Sequence, residues 1–364
     1  MDTSKLFALR RPSRRDFLKG LGAIGAGALL PMGSSWAQAP GGEARRIDVH
    51  QHYSSPAYHA FLERQAAGPA TRDTPTVRLL VNRFRNYTPE LNIEAMDQAG
   101  VATAMVSPTA PGVWFGDVAE ARSAAREINE YAAEKMVGDY PGRFGLFASL
   151  PIPDVEGSLR EIEYAFDTLD ADGVALLTSY DDKWLGDEAF APIFDELNRR
   201  GAVVYTHPRE ANCCPNLVGG VSAQTLEYPT DTTRTILSLI AGGTASRCPN
   251  VKFIFSHAGG TLVSIAGRFL GNSVSAEGLA NPAEADSRLH HVKRFYYDTA
   301  GSANFVQIQS LKLLVPDSQI LFGTDFPFGN PAGTVAGLQA SGLKAEELQA
   351  IYRDNAMRIL PQRA

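Results

Sequence analysis

The chain has 364 residues, of which 44% are hydrophobic and 20% charged, and its formal net charge is −6. That length can bury a large core, and an acidic balance with no basic tract beyond the first 20 residues argues against a nucleic-acid or anionic-membrane partner. The 3 cysteines, Cys213, Cys214 and Cys248, show neither zinc-ribbon spacing nor the pattern of a disulfide framework.

Residues 1–39 read as an export signal. Ser13-Arg14-Arg15-Asp16-Phe17-Leu18-Lys19 matches a twin-arginine motif, an apolar stretch rich in Gly and Ala follows from Gly20 to Pro31, and Ala37-Gln38-Ala39 supplies the small residues of a cleavage site. The stretch is too short to span a bilayer, so stable membrane insertion is not expected. The signal implies passage through the Tat translocase, with the mature protein in the periplasm or secreted. Residues 40–364 are expected to form one domain.

From there short apolar runs alternate with amphipathic stretches. The runs Arg46–His50, Ala102–Ser107, Phe144–Leu150, Gly173–Leu177, Val203–His207, Val251–Ser256, Phe295–Asp298 and Gln319–Gly323 lack polar alternation, as strands buried on both faces should. Helical spacing is read in Val118–Asp139, Ser158–Thr168, Phe190–Arg200, Asp231–Ala241, Asn304–Leu314 and Ala345–Ile359. Such alternation predicts an α/β fold, a single-domain TIM (β/α)8 barrel with its chemistry at the C-terminal face. The connection from about Tyr53 to Pro89 is long, and long connections of this kind tend to build an active-site mouth.

Histidines gather at the ends of these strands. In Ile47-Asp48-Val49-His50-Gln51-His52, side chains two apart on a strand point the same way, so two imidazoles project together, a good arrangement for a divalent first-row ion. Thr206-His207-Pro208 ends the fifth run and Ser256-His257-Ala258-Gly259-Gly260 the sixth. Taken singly, each is better read as a hydrogen-bonded core histidine; their recurrence at strand ends is what points to a site. Gly259-Gly260 allows a tight turn and close backbone approach. Asp325, in Gly323-Thr324-Asp325-Phe326-Pro327, can bind metal, carry a proton or do both, and is otherwise an ordinary turn residue. The fourth run ends without Lys or Glu, which favours one metal over a bridged pair. His59, His290 and His291 fall in predicted helix or loop and are read as solvent-facing. The chain has no G-x-S-x-G, no P-loop and no G-x-G-x-x-G after a strand.

Together these motifs, with Tyr296-Tyr297-Asp298-Thr299-Ala300-Gly301, resemble the amidohydrolase superfamily from about Arg46 to the C-terminus. Within it they are similar to the aminocarboxymuconate-semialdehyde decarboxylase branch, close to the decarboxylases of 6-methylsalicylate and γ-resorcylate. The resemblance implies metal ligands at His50, His52, His207 and Asp325, an acid/base role for His257, and a possible proton-carrying role for Asp325. It also implies that Arg268 binds a substrate carboxylate, in some members across a dimer interface, so a homodimer is expected. The loops after the first and second strands match nothing in particular. There Trp114-Phe115 is a candidate aromatic wall, and Arg83 and Arg85 candidate positive charges.

The expected activity is metal-dependent, non-oxidative decarboxylation of a small aromatic or enolic carboxylic acid such as a hydroxybenzoate. A hydrolase of a lactone or cyclic amide uses the same ligands and is the alternative; a periplasmic binding protein is a third reading, which leaves His257 unexplained. Three histidines and one carboxylate point first to Zn2+; Mn2+ follows, because relatives use it.

Overall fold

The computed structural model describes residues 45–71, 73–214 and 217–363. The expected signal and cleavage site at 1–39 lie outside the described residues. Eight parallel strands lie in sequential order: β1 Arg46–His52, β2 Val101–Ser107, β3 Phe144–Ser149, β4 Gly173–Leu177, β5 Val203–His207, β6 Lys252–Phe255, β7 Tyr296–Asp298 and β8 Ile320–Leu321. The Val49 N–H donates to the Phe322 carbonyl at 2.9 Å and that of His52 to Phe326 at 2.7 Å, which closes the sheet into the expected barrel. A separate ribbon, Ser179–Tyr180 with Lys183–Trp184, follows β4.

Around the barrel lie α1 Pro56–Ala67, α2 Thr74–Arg83, α3 Pro89–Gln98, α4 Val118–Tyr131, α5 Val155–Asp167, α6 Ala191–Arg200, α7 Ala223–Ala241, α8 Leu262–Leu270, α9 Arg288–Arg294, α10 Phe305–Leu314 and α11 Pro331–Gln339. Their ends follow local chemistry. The Asp117 carboxylate accepts from the Glu120 N–H to start α4, which buries Ala121, Ala124, Ala125 and Ile128 on one stripe. At the end of α6, Gly201 takes φ 60, where a side chain is disfavoured.

One apolar cluster fills the barrel: Ile47 and Val49 from β1, Met105, Phe147, Ala175, Val203 and Tyr205, Ile254 and Leu321, with Ala356, Ile359 and Leu360 joining from the C-terminal segment. A second, larger cluster lies between strands and helices. This two-layer burial is why the strands read as unbroken apolar runs. On β1 the register shifts between Asp48 and Gln51. That irregularity lets His50 and His52 reach the site although Ile47 and Val49, of opposite parity to them, already face the interior.

Several boundaries depart from expectation. The fourth expected helix start, Asp231, lies inside α7, which begins at Ala223 and runs through Pro229. Proline removes one helical N–H, and its carbonyl is taken up by the Thr261 N–H at 3.2 Å and the Thr233 hydroxyl at 3.1 Å. The helical stretch expected at Ala345–Ile359 is broken into short helical pieces, with wider π-type turns at Ala350–Asp354, as also at Ala132–Gly138 after α4. His291 on α9 is not solvent-facing: it is buried, with the Asp286 carboxylate at 2.9 Å from Nε2 and the Arg294 Nε–H donating to Nδ1 at 3.2 Å. His290 and His59 are part-buried, and the His59 Nε2 reaches the Val81 carbonyl at 3.0 Å. An α9 of 7 residues is too short for its periodicity to reveal a buried face.

Candidate metal centre

Five sequence-selected side chains converge at the C-terminal mouth of the barrel. β1 contributes His50 and His52, the end of β5 His207, the turn after β6 His257, and the turn after β8 Asp325. Among the described residues, the grouping suited to sharing a metal ion is His50, His52, His207 and Asp325, whose ligand atoms all lie within 4.8 Å of one another. Rings pack edge-on around it, with His52 4.8 Å and His50 5.4 Å from His207, centroid to centroid.

The hydrogen bonds at Nδ1 decide which way each ring presents its lone pair. His50 Nδ1 lies 2.9 Å from Asp298 Oδ2, His52 Nδ1 3.1 Å from the Ser107 carbonyl, and His207 Nδ1 2.8 Å from the Pro208 carbonyl. All three partners are acceptors, so each Nδ1 carries a proton and each ring turns its Nε2 inward, where it offers a lone pair to a metal ion once it holds no proton of its own. The Nε2 atoms of His50 and His52 then face each other at 3.1 Å. The Asp325 Oδ1 stands 3.0 Å from His52 Nε2 and 3.3 Å from His50 Nε2, is buried, and makes no hydrogen bond. Lone pairs and a carboxylate oxygen crowded this closely repel unless a cation lies among them. A tetrahedral ion with nitrogen ligands at about 2.0–2.1 Å separates them by roughly 3.3 Å, so the residues fit one divalent ion.

The electrostatics agree. Burial pushes His52 and His207 below the usual imidazole value, which keeps both neutral. At His50 burial acts in the same direction, but the Asp298 and then the Asp325 carboxylates outweigh it and hold the ring up to about 10 in the absence of metal. Burial would raise Asp325; the charge of His50 overrides it and keeps the carboxylate ionised. A site that attracts a proton this strongly attracts a cation in its place.

Two buried aspartates that the sequence reading did not single out support the centre. Asp298 Oδ1 accepts the backbone N–H groups of His257 at 2.9 Å and Ala300 at 3.0 Å while Oδ2 holds His50. Asp48 accepts from the His50 N–H, the Gln51 amide, and the Thr324 N–H and hydroxyl, tying β1 to the turn that carries Asp325.

His257 stands beside the four without belonging to the group, its ring centroid 5.2 Å from that of His50 and 6.3 Å from that of His207. Its Nδ1 is 2.9 Å from the Ala300 carbonyl, which places a proton on Nδ1 and leaves Nε2 as the ring atom that can take up or give away a second one. The backbone here is left-handed at His257 (φ 55) and Ala258 (φ 57), as it is at Asp325 (φ 63). Such geometry in non-glycine residues costs about 1–3 kcal/mol each and gathers at functional sites. The expected tight turn at Gly259-Gly260 is present: a Cβ on Gly260 would lie 1.9 Å from the Pro229 carbonyl oxygen.

Beside these groups opens a cavity of about 390 Å3, in the range that suits a small organic ligand. His207, His257 and Asp325 line one side; Leu79, Leu80, Tyr228, Pro229 and Phe328 give apolar surface, and Thr76, Thr109, Gln224, Thr225, Ser302 and Gln307 give neutral polar groups. None of the described lining residues is Lys or Arg. Arg268 is exposed on α8 and is not among them. The Trp114 indole N–H donates to Asp181 at 2.9 Å and Phe115 packs edge-on to Phe61, so neither forms the cavity wall. Arg83 lies over the Phe328 ring and Arg85 donates to Asn82, both outside the cavity.

A family model described as amidohydrolase matches residues 47–362, and one described as a twin-arginine translocation pathway signal sequence matches residues 11–31. The chain is 37% identical over 336 residues to the decarboxylase yanB of Aspergillus niger, covering 87% of this chain and 88% of that one. It is 36% identical to 6-methylsalicylic acid decarboxylase of Penicillium expansum, covering 78% of this chain and 85% of that one. Its fold is shared with a 5-carboxyvanillate decarboxylase from Novosphingobium aromaticivorans solved with bound manganese, at a TM-score of 0.75 and 21% identity, covering 88% and 99% of the two chains. Among the described residues no helix is long and apolar enough to cross a membrane.

Proposed function

This chain belongs to the amidohydrolase family, and from that premise we propose that it is a metal-dependent, non-oxidative decarboxylase of a small hydroxybenzoate-like acid. Residues 1–39 are its Tat signal and 40–364 its catalytic barrel, so it works in the periplasm or beyond the cell. The observation that carries the reading is the set of three rings with Nε2 bared toward one ionised carboxylate, opening on a cavity of aromatic-acid size.

In this reading His50, His52, His207 and Asp325 hold one divalent ion. The donor set favours zinc, and the manganese of the structural neighbour makes manganese the other candidate. When bound, the ion supplies Lewis acidity toward the carboxylate and an adjacent hydroxyl. The chain does the rest. Leu80, Tyr228 and Phe328 seat the ring and exclude water. His257, protonated at Nε2 with Nδ1–H held by Ala300, gives its proton to the ring carbon that bears the carboxylate. The C–C electron pair then returns to the ring, CO2 leaves, and His257 is reprotonated from solvent. Asp325 is the other possible carrier of that proton. With no Lys or Arg among the described lining residues of one copy, and Arg268 exposed outside that lining, a second copy would have to present Arg268 to a substrate carboxylate, which is the ground for a homodimer in this reading.

The test is to purify the mature chain, measure its metal content, and follow CO2 release and ring opening together on a panel of hydroxybenzoic acids and lactones. CO2 release abolished by a chelator and restored by zinc or manganese is the expected result. Ring opening without CO2 replaces this reading with the hydrolase one.

A further inference from the structure

One wall of the cavity comes from a helix in the long connection after β1. α2 lies in the long segment between β1 and α3 and brings Thr76, Leu79 and Leu80 to the cavity. Among the described residues no backbone hydrogen bond joins α2 to a barrel strand. At its N-terminus, however, Asp73 occupies the capping position and makes no side-chain bond to its own helix. Both of its carboxylate oxygens instead receive the Arg209 Nη2, at 2.9 and 3.1 Å. A capping aspartate that forgoes its own helix gives up about 1 kcal/mol of helix stability, so the contact it makes instead matters to where α2 sits.

Arg209 is rigidly placed. It is 5% exposed, stands two residues after His207, and donates its backbone N–H to the Thr178 hydroxyl at 3.2 Å. Thr178 in turn donates to the buried Asp231 carboxylate. The ion pair therefore joins a fixed point on the barrel to the start of a helix that borders the substrate cavity, across 136 residues of sequence. Its burial on the arginine side shields it from salt.

We infer that the Asp73–Arg209 pair is a latch that holds α2 against the cavity and so sets which acids fit. The two are positioning residues: they act through Thr76, Leu79 and Leu80, without touching substrate. The kinetic part of this inference rests on the cavity being the acid-binding site proposed above; the placement of α2 does not.

The experiment uses the full-length metal-loaded protein and the variants Asp73→Asn, Arg209→Lys and Asp73→Glu. Hydrogen exchange is followed in Thr74–Arg83 and, as control, in Val203–His207, with metal content and the KM and kcat for the best acid of the panel. Asp73→Asn and Arg209→Lys are expected to speed exchange in α2 by roughly tenfold or more. β5 exchange and metal content stay as in the parent. KM rises by about fivefold or more with kcat changed less than about threefold, acids with bulkier ring substituents gain relative to small ones, and Asp73→Glu restores part of the loss. Unchanged exchange in α2 overturns the latch, as does a rise in α2 and β5 together with loss of metal, which marks a general structural defect. A loosened α2 with unchanged KM and selectivity overturns its role in choosing the acid. If no acid is turned over, the function proposed above fails while the exchange measurements still decide the latch.

Discussion

Replacing Asp298 with Asn alters one atom and forces a choice on the centre. Oδ1 accepts two backbone N–H groups, of His257 and Ala300, and Oδ2 accepts the His50 Nδ1–H. An amide has one acceptor and one donor end. If its nitrogen takes the Oδ1 place, the buried Ala300 N–H and the part-buried His257 N–H both lose their partner, the former at about 1–3 kcal/mol. If it takes the Oδ2 place, one conflict arises with His50, and the ring can relieve it by moving its proton from Nδ1 to Nε2. The second arrangement is cheaper, and it presents an N–H where a lone pair is needed. Loss of a carboxylate that orients a ligating histidine typically weakens metal binding 10–100-fold, about 1.4–2.7 kcal/mol. Asp298→Asn is therefore expected to fold, to bind zinc or manganese roughly 10–100 times more weakly in a chelator competition, and to recover turnover only at high added metal. Metal affinity within about threefold of the parent would falsify the tautomer argument.

The remaining expectations concern the same site. His257→Ala should keep its metal, since the ring is not among the four residues proposed to hold it, and lose about 100-fold or more in kcat; a near-normal rate removes His257 from the acid/base role. His207→Ala should lose the metal, and elemental analysis showing full occupancy would refute its role as a ligand. For pH, the folded value of His50 without metal, about 10, lies above its free value of 6.5, so its stabilisation of the metal-free chain is complete below 6.5 and disappears as pH rises through about 10. Metal must displace that proton, so between about pH 6 and 9 binding should release protons and tighten by up to about tenfold per pH unit, and pH-independent affinity contradicts this. Gly260→Ala meets the Pro229 carbonyl and a φ of +67, so a loss of about 3 kcal/mol or more is expected in urea titration, and an unchanged midpoint would show that the turn can shift.

The barrel was legible because its strands are buried on both faces, and runs such as Val203-Val204-Tyr205 carry that burial in every residue. The His50 and His52 pair was legible from the two-residue repeat of a strand, though the register shift that turns both inward was not. What the sequence hid is mostly main-chain or distant. The Ser107, Pro208 and Ala300 carbonyls that orient the rings have no side-chain signature. Asp298 stood in view as part of a motif, but its role follows only from the three donors folded around it. The spacing starts a helix at Asp231, two residues after Pro229, whereas α7 begins at Ala223 and carries that proline inside it. Asp73 and Arg209 are too far apart in sequence for any local pattern to pair them.

The orienting acceptors also bear on how such a centre changes over generations. Those of His52, His207 and His257 are peptide carbonyls, which every amino acid supplies, so substitutions at Ser107, Pro208 or Ala300 leave the acceptor in place as long as the backbone keeps its course. Only the orientation of His50 depends on a side chain that a single codon can erase. The neutral groups Thr76, Gln224, Thr225, Ser302 and Gln307 around the cavity are not the acceptors that orient these rings. They are free to drift toward a new acid while the metal ligands keep their proton pattern, which makes the substrate an evolvable property of this chain and the chemistry a far more persistent one.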